Sequence, residues 1–208
     1  MLNEPRHDPP EGAAPPRRGR PRDDSVAPRV LEAALDVLAE HGVGGISIAE
    51  IARRARVSKP TVYARWPGAD PLLRAALASI SSTEAPAGVP SDPRQALAVQ
   101  LERIGARLTR GRDGRLLGAL LAAADERPEL LAEYRRRVIG PAAHALRSTL
   151  ERARAQGSVR EDADLDAAVQ LLLGAFLARW AAGDPIPADW SARAVAVVWS
   201  GIAYGGSP

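Results

Sequence analysis

ISIAEIARRARVSKPTVYARW, residues 46–66, reads as two short helices joined by a tight turn. Ser47 is followed three residues later by Glu50, and Ile48, Ile51 and Ala52 are spaced to share one face. That is the pattern of a capping box opening a short amphipathic helix, expected over about residues 48–55. Ser58 is suited to cap a second helix, because its hydroxyl can accept a backbone N–H while Pro60 stands in the first turn, where a missing donor costs nothing. Lys59, Thr61, Val62, Tyr63 and Arg65 then lie on or near the front of that second helix.

The charge of this stretch is as local as its pattern. Between Arg53 and Trp66 stand five cations (Arg53, Arg54, Arg56, Lys59, Arg65) and no acid, although the whole chain carries only +3. Such a cluster suits phosphate binding. In a helix-turn-helix the second helix enters the major groove of DNA and its N-terminal residues meet bases and phosphates. On that geometry Arg53, Lys59 and Tyr63 are assigned to phosphates, Thr61 and Val62 to base edges, and Arg65 to either, with Arg56 and Ser58 completing the DNA-facing set. Ile51 and Trp66 belong to the core of the head.

The longer run IAEIARRARVSKPTVYARWPGADPLL, residues 48–73, resembles the signature of the tetracycline-repressor (TetR) family of transcriptional regulators. An Ile-Ala helix, a Val-Ser turn, a Thr-x-Tyr recognition helix and a following acid-bearing helix succeed one another, with Tyr63, Trp66 and the Leu72-Leu73 pair in register. One position departs from the pattern: Arg56 stands where the family usually has glycine in the turn. If that position needs a positive φ, a side chain there costs on the order of 1 kcal/mol.

The rest of the chain reads as helix after helix. Val26, Val30, Ala34, Val37 and Leu38 recur at helical spacing and close at His41-Gly42, a glycine C-cap, with His41 facing the helix dipole. Gly42-Val43-Gly44-Gly45 follows a helix and not a strand, so it is no dinucleotide-binding fingerprint. Asp70-Pro71 opens a connector helix running to about Ser81. Leu97 to Leu108 define a helix capped by Asp92-Pro93, and Leu116 to Leu121 define another. A long one runs through Leu130, Tyr134, Val138, Leu146 and Leu150, and Gly140-Pro141 should kink or break it. Residues 164–182 and 189–204 supply the last two. No run alternates like a strand. The fold class is therefore all-α, about nine helices, divided into a basic arm (residues 1–24), a helix-turn-helix head with its connector (25–81) and a helical effector-binding and dimerisation domain (82–208).

The arm is rich in proline, glycine and charge, and nearly empty of large apolar residues, so it is expected to be disordered. Within it Arg17-Arg18-Gly19-Arg20-Pro21-Arg22 resembles the Arg-Gly-Arg-Pro core of AT-hook segments, which places Arg18, Arg20 and Arg22 along a minor groove. A solvated basic tail is the alternative reading.

Composition bounds the function classes. The 208 residues, 46% apolar, suffice for one substantial core or two linked ones. There is no cysteine, which removes disulfides and thiolate metal sites. The longest uncharged runs fall short of a bilayer span, and no apolar core suits a secretory signal, so a cytoplasmic location is expected. Arginine supplies 27 of the 28 basic residues, and the sole lysine is Lys59. The three histidines, His7, His41 and His144, have no i,i+4 partner among themselves, so neither metal nor cofactor nor catalytic constellation is expected, and the chain is read as no enzyme. Asp162, Asp164 and Asp166 imitate the start of a calcium loop, but its glycine and terminal glutamate are replaced by Ala167 and Leu173.

Leu165, Val169, Leu172, Leu173, Phe176, Leu177 and Trp180 make the penultimate helix apolar on more than one face, and Val195, Val197, Val198, Trp199 and Ile202 do the same for the last. Such helices need cover on more than one side. The family resemblance implies a homodimer joined through this pair, hence a palindromic double-stranded operator. It also implies a small-molecule effector held among the central helices, whose binding moves the connector and releases a repressor from DNA. Tyr134, His144, Phe176 and Trp180 are the candidate wall residues. Gly105, Gly118 and Gly174, inside helical patterns, either leave room for a ligand or allow close packing. An architectural DNA-binding dimer without effector is the alternative function.

Overall fold

The computed structural model describes residues 25–81 and 90–204. The arm, with Arg18, Arg20 and Arg22, and most of the loop after the connector lie outside these. Among the described residues the chain forms α1 (Val26–His41), α2 (Ile48–Arg54), α3 (Lys59–Tyr63), α4 (Ala69–Ala78), α5 (Pro93–Arg110), α6 (Asp113–Ala122), α7 (Pro128–Tyr134), α8 (Gly140–Ala155), α9 (Leu165–Ala182) and α10 (Trp190–Ile202). A π-helical turn, Arg135–Ile139, joins α7 to α8 as one continuous rod, which leaves nine α-helical rods among the described residues. The only β pairing among the described residues is an isolated bridge between Val159 and Ala203.

Local chemistry sets the helix ends. Asp92 accepts from the backbone N–H of Arg94 and Gln95 at 3.2 and 3.3 Å to start α5. Asp164 accepts from Ala167 N–H at 2.9 Å to start α9, so the Asp162–Asp166 run serves as a helix cap. The connector departs from its expected bounds: α4 begins at Ala69, with Asp70 and Pro71 already in the first turn, and ends at Ala78. The Ser79 hydroxyl donates to Ala76 carbonyl at 2.7 Å, and Ile80, beyond the helix, packs on the core.

At Gly140-Pro141 the helix changes register without breaking. Pro141 has no N–H to offer Arg137, and its ring would press on that carbonyl in an α-helix. Ahead of it the Gly140 N–H donates to the Arg135 carbonyl, five residues back, and this wider turn absorbs the misfit.

Two cores hold the molecule. The first gathers Leu35 and Leu38 of α1, Ile51 of α2, Val62 of α3 and Leu72, Leu73 and Leu77 of α4. It extends past the head to Leu116 and Leu120 of α6 and Leu130 and Leu131 of α7. The second gathers α5, α8, α9 and α10 around Leu97, Leu101, Leu146, Leu150 and Leu172. Each fully buried leucine contributes about 1.5–3 kcal/mol. Leu108 packs against both cores.

Polar ties reinforce the first junction. Arg112, at the start of α6, donates to Glu32 at 2.6 Å and Asp36 at 2.8 Å on α1. Arg127, just ahead of α7, lies 2.9 Å from Asp70 on α4. By length and composition α9 is apolar enough to cross a membrane, but here it packs against α5, α8 and α10.

Candidate nucleic-acid interface and helical-domain cavity

The helix-turn-helix is built as its sequence pattern dictates, with one exception at its start. The Ser47 hydroxyl accepts from Glu50 N–H at 3.3 Å, but the Glu50 carboxylate does not return the bond. It accepts instead from Arg53 at 2.6 and 2.9 Å and from Arg54 at 2.7 Å. Arg54 also donates to Glu40 of α1 at 2.7 Å. Bonds from Arg53 and then Arg54 hold the Glu50 carboxyl down to about 2, and Arg54 likewise keeps Glu40 below the usual carboxylate range. Arg54 is thus a strut between α1 and α2, while Arg53, though paired, stays largely exposed.

The turn between α2 and α3 is a Schellman cap. Arg56 N–H donates to Arg53 carbonyl at 3.1 Å and Val57 N–H to Ala52 carbonyl at 3.0 Å, with Val57 and Ala52 both packed on the head core. Arg56 sits at φ 55°, the one non-glycine residue at positive φ among the described residues. The caps ending α8 and α9 have the same bond pattern and place Gly157 and Gly183 there. Arg56 therefore carries the strain that the sequence pattern warned of, in exchange for an exposed cation beside the recognition helix.

On α3, Ser58 caps the helix through Thr61 N–H at 3.3 Å. The Thr61 hydroxyl is itself 2.8 Å from that of Ser58, and Thr61 is half-buried. Val62 is fully buried in the head core, which corrects its assignment to a base edge. The reason lies in packing: α3 is short and set against α2, and Val62 is the residue it contributes to the core shared with Leu38, Ile51 and Leu73. Lys59, Pro60, Tyr63 and Ala64 form the exposed face, with Arg65 exposed just beyond. Tyr63 is 51% exposed, an uncommon degree for an aromatic side chain with no cover in its own subunit. Trp66 packs on the core, as does Ile51.

In the helical domain a cavity of about 380 Å³ opens between α5 and α9 on one side and α6, the π-turn and α8 on the other. Of the four expected wall residues only Tyr134 lines it. His144 is exposed on α8, away from the lining. Phe176 is buried against Gly105, where an added Cβ would fall 2.0 Å from its ring. Trp180 covers Gly114 and Gly118, with an added Cβ at Gly114 3.2 Å from the indole. The glycines therefore divide: Gly105 serves close packing, a Cβ at Gly118 would stand at ordinary contact distance from Trp180, 3.8 Å, and Gly174 lines the cavity with open space beside it.

The polar groups of the wall are ones that sequence pattern did not single out. Arg107 donates to Asp113 at 2.8 Å, and the Tyr134 hydroxyl lies 3.5 Å from the Asp113 carbonyl. Burial pushes the Tyr134 hydroxyl well above its ordinary value, with Asp113 adding and Arg107 opposing, so it remains a neutral donor. Arg103, Gln100 and Gln170 complete the polar lining.

Comparison with known proteins agrees with this architecture. Residues 30–76 match the family described as bacterial regulatory proteins, tetR family, and residues 91–198 match the tetracyclin repressor-like C-terminal domain. The HTH-type transcriptional regulator YdeS of Bacillus subtilis (strain 168) is 29% identical over 163 residues, which cover 78% of this chain and 82% of YdeS. The crystal structure of the TetR family transcription regulator SCO0332 superposes with a TM-score of 0.57 at 26% identity, covering 87% of this chain and all of that one. A HlyIIR mutant protein carrying a linker substitution superposes at 0.61 with 17% identity, over 88% of this chain and 98% of its own, a likeness of fold alone. A DNA-binding head and the matching C-terminal domain in one chain make this protein a member of the TetR family of transcriptional regulators.

Proposed function

We propose that this regulator is a repressor that binds a palindromic operator as a homodimer and leaves it when a small molecule fills the cavity between α5 and α9. The observation that carries the DNA half is the exposed face of α3, where Lys59 and Tyr63 lie one turn apart beside Arg56 and Arg65. Lys59, Arg53 and Tyr63 contact phosphates, and the arm arginines Arg18, Arg20 and Arg22 follow the adjacent minor groove. With Val62 in the core, direct base contact passes to Pro60 and Ala64, and the Thr61 methyl is left at the margin.

The homodimer follows from what one subunit leaves bare. On α9 Leu171 is 64% exposed and Leu177 38%, and on α10 Val197 is 74% exposed. These residues belong to the pair of helices that in this family pack against their symmetry mates. A two-fold axis there places two identical heads on inverted half-sites. The effector half rests on the cavity, since a purely architectural DNA-binding protein has no use for an opening of this size in its second core. Residues 25–81 form the head in this reading and residues 82–208 the effector and dimer domain, with α6 and α7 bridging them. The protein acts in the cytoplasm, where its DNA lies.

Selection from a random DNA pool with the purified full chain, at near-physiological salt, tests this directly. An enriched palindrome, bound with one dimer per site and at least about a thousandfold over random sequence, is the expected result. Salt-sensitive binding without enrichment would leave a DNA-coating protein. Lys59→Ala should weaken all sequences alike and flatten the salt dependence by about one counterion, whereas Ala64→Ser should change the preferred base.

A further inference from the structure

We propose that the cavity between α5 and α9 takes an amphipathic anion, an apolar body ending in a carboxylate or comparable acid, with Arg103 as its counter-ion. The inference rests on reading this cavity as the effector site and names the chemical class that fits it.

The body of the cavity is apolar: Ile104, Leu108, Leu117, Val138, Leu173 and Leu177 supply most of its wall. Gly174 opens it further, because nothing lies within 4 Å of the position a Cβ would take there. An alkyl or aromatic portion of a ligand is the natural filling, since apolar walls release water when covered.

The charged residues of the wall decide what the other end of the ligand carries. Two guanidiniums, Arg103 and Arg107, face one carboxylate, Asp113. Arg107 is bonded to Asp113 at 2.8 Å, so that pair is already neutral. Arg103 has no carboxylate partner among the described residues. It precedes Arg107 by one helical turn on α5, hence on the same face, and it is exposed where Arg107 is half-buried. Arg103 therefore stands at the mouth and Arg107 farther in.

Gln170 of α9 is likewise exposed and lines the same cavity. Gln100 is committed elsewhere, its amide donating to the buried Thr149 hydroxyl at 3.0 Å. An entering cation finds no unpaired carboxylate in the wall and meets the field of Arg103. A neutral ligand leaves Arg103 to solvent. An anion gains a charge-assisted bond from Arg103 in a wall that also offers the Gln170 amide, while its apolar part stays inside.

Isothermal titration of the full-length protein with three probes of one chain length, n-decanoate, n-decanol and n-decylammonium, tests this below their micelle concentrations. Because the mouth is solvated, the expected discrimination is modest: decanoate about threefold tighter than decanol and about tenfold tighter than decylammonium. The preference should vanish in Arg103→Gln, with decanol affinity unchanged. Gly174→Leu, which fills the space from a position that strains no backbone, should abolish binding of all three while circular dichroism reports an intact helical fold. Decylammonium binding as well as decanoate, a preference surviving in Arg103→Gln, or no decanoate binding at all would overturn the proposal. Fluorescence anisotropy on the selected operator keeps the two readings apart. Decanoate bound with the stated preference but without change in operator affinity leaves the anion site standing and removes its role in DNA release.

Discussion

The guanidinium of Arg112 lies 2.8 Å from the carboxylate of Asp36, and this contact ties the first residue of the α6 turn to the middle of α1. Glu32, one turn earlier on α1, shares the same guanidinium at 2.6 Å. The next residue along the chain, Asp113, faces the cavity and holds Arg107. Head and cavity are thus addressed by adjacent residues at the start of α6, and a ligand that displaced Asp113 would be expected to disturb the grip on α1.

A double-mutant cycle of Arg112→Gln and Asp36→Asn measures this tie. Arg112 is 24% exposed and Asp36 47%, so solvent screening limits the pair to a coupling of about 0.5–1 kcal/mol in urea unfolding. Additive single effects would mean that the two side chains do not hold the head to α6. Arg112→Gln should also blunt any change in operator affinity caused by a ligand in the cavity, because the coupling then loses a contact that differs between the two states.

Arg56 invites the opposite kind of substitution, one that improves the fold. Arg56→Gly removes the strain of a side chain at φ 55° and, after the entropy lost by a more flexible unfolded chain, should stabilise the protein by about 0.5–1 kcal/mol. Arg56→Ala keeps the Cβ and should bring no such gain. Both lose the cation, so both should weaken operator binding by a similar small factor. Thermal unfolding and anisotropy on the pair separate strain from charge, and equal stability of the two variants would discard the strain.

How much of this was legible in the sequence follows from where each signal comes from. Helix periodicity, Asp92, Ser58, Gly42 and the Arg56 departure are local, and the structure has them as read. The core position of Val62 was not legible, because a five-residue helix has too few positions to tell its buried face from its exposed one. The π-turn was half visible: Gly140-Pro141 announces a disturbance, but whether it breaks or widens depends on the packing of Leu130 and Leu146 at either end. The cavity was least legible. Its polar wall comes from Arg103, Arg107, Asp113 and Gln170, residues that look like ordinary surface charge until α5 and α9 are brought together. The aromatic residues expected there, Phe176 and Trp180, were drawn instead to the glycines that accept them.

Glu50 makes acid stability diagnostic. Its carboxyl is held at about 2, below the ordinary 4.5, by bonds from Arg53 and then Arg54. A depressed carboxylate contributes stability that is present above the unfolded-chain value and is lost as pH falls through the folded one. Wild-type protein should therefore lose more stability than Glu50→Gln between pH 4.5 and about 2, and the two should run parallel above that window. Urea midpoints across this range give the comparison; parallel curves throughout would show that the Arg53–Glu50–Arg54 cluster adds nothing. At neutral pH the same variant frees Arg53 from its acid and should tighten binding to all DNA sequences alike.

Two glycines of the helical domain should respond with opposite sign to the same change. Gly105→Ala forces a Cβ to within 2.0 Å of the Phe176 ring and should cost about 1–3 kcal/mol through overpacking, unless the ring shifts. Gly174→Ala adds a methyl to open space and should gain up to about 1 kcal/mol from helix propensity. Denaturant unfolding of the two variants side by side tests the assignment of one glycine to packing and the other to the cavity wall. A gain from Gly105→Ala would show that Phe176 is free to move.

Leu171 and Val197 test the dimer. Both line one groove between α9 and α10, and they are 64% and 74% exposed in the single subunit. Neither is needed by the core that their own chain forms, since Leu172 and Val195 fill it. Leu171→Glu and Val197→Glu should therefore leave the helical content of the subunit unchanged by circular dichroism, while placing like charges face to face across a two-fold axis. Sedimentation should show a shift from dimer to monomer in the double variant. Operator affinity should fall by at least about a hundredfold, because a lone head loses the second half-site and the effective concentration that the first one provides. A variant that stays dimeric would move the interface off this groove, and one that turns monomeric yet binds the palindrome undiminished would end the two-headed reading of the operator.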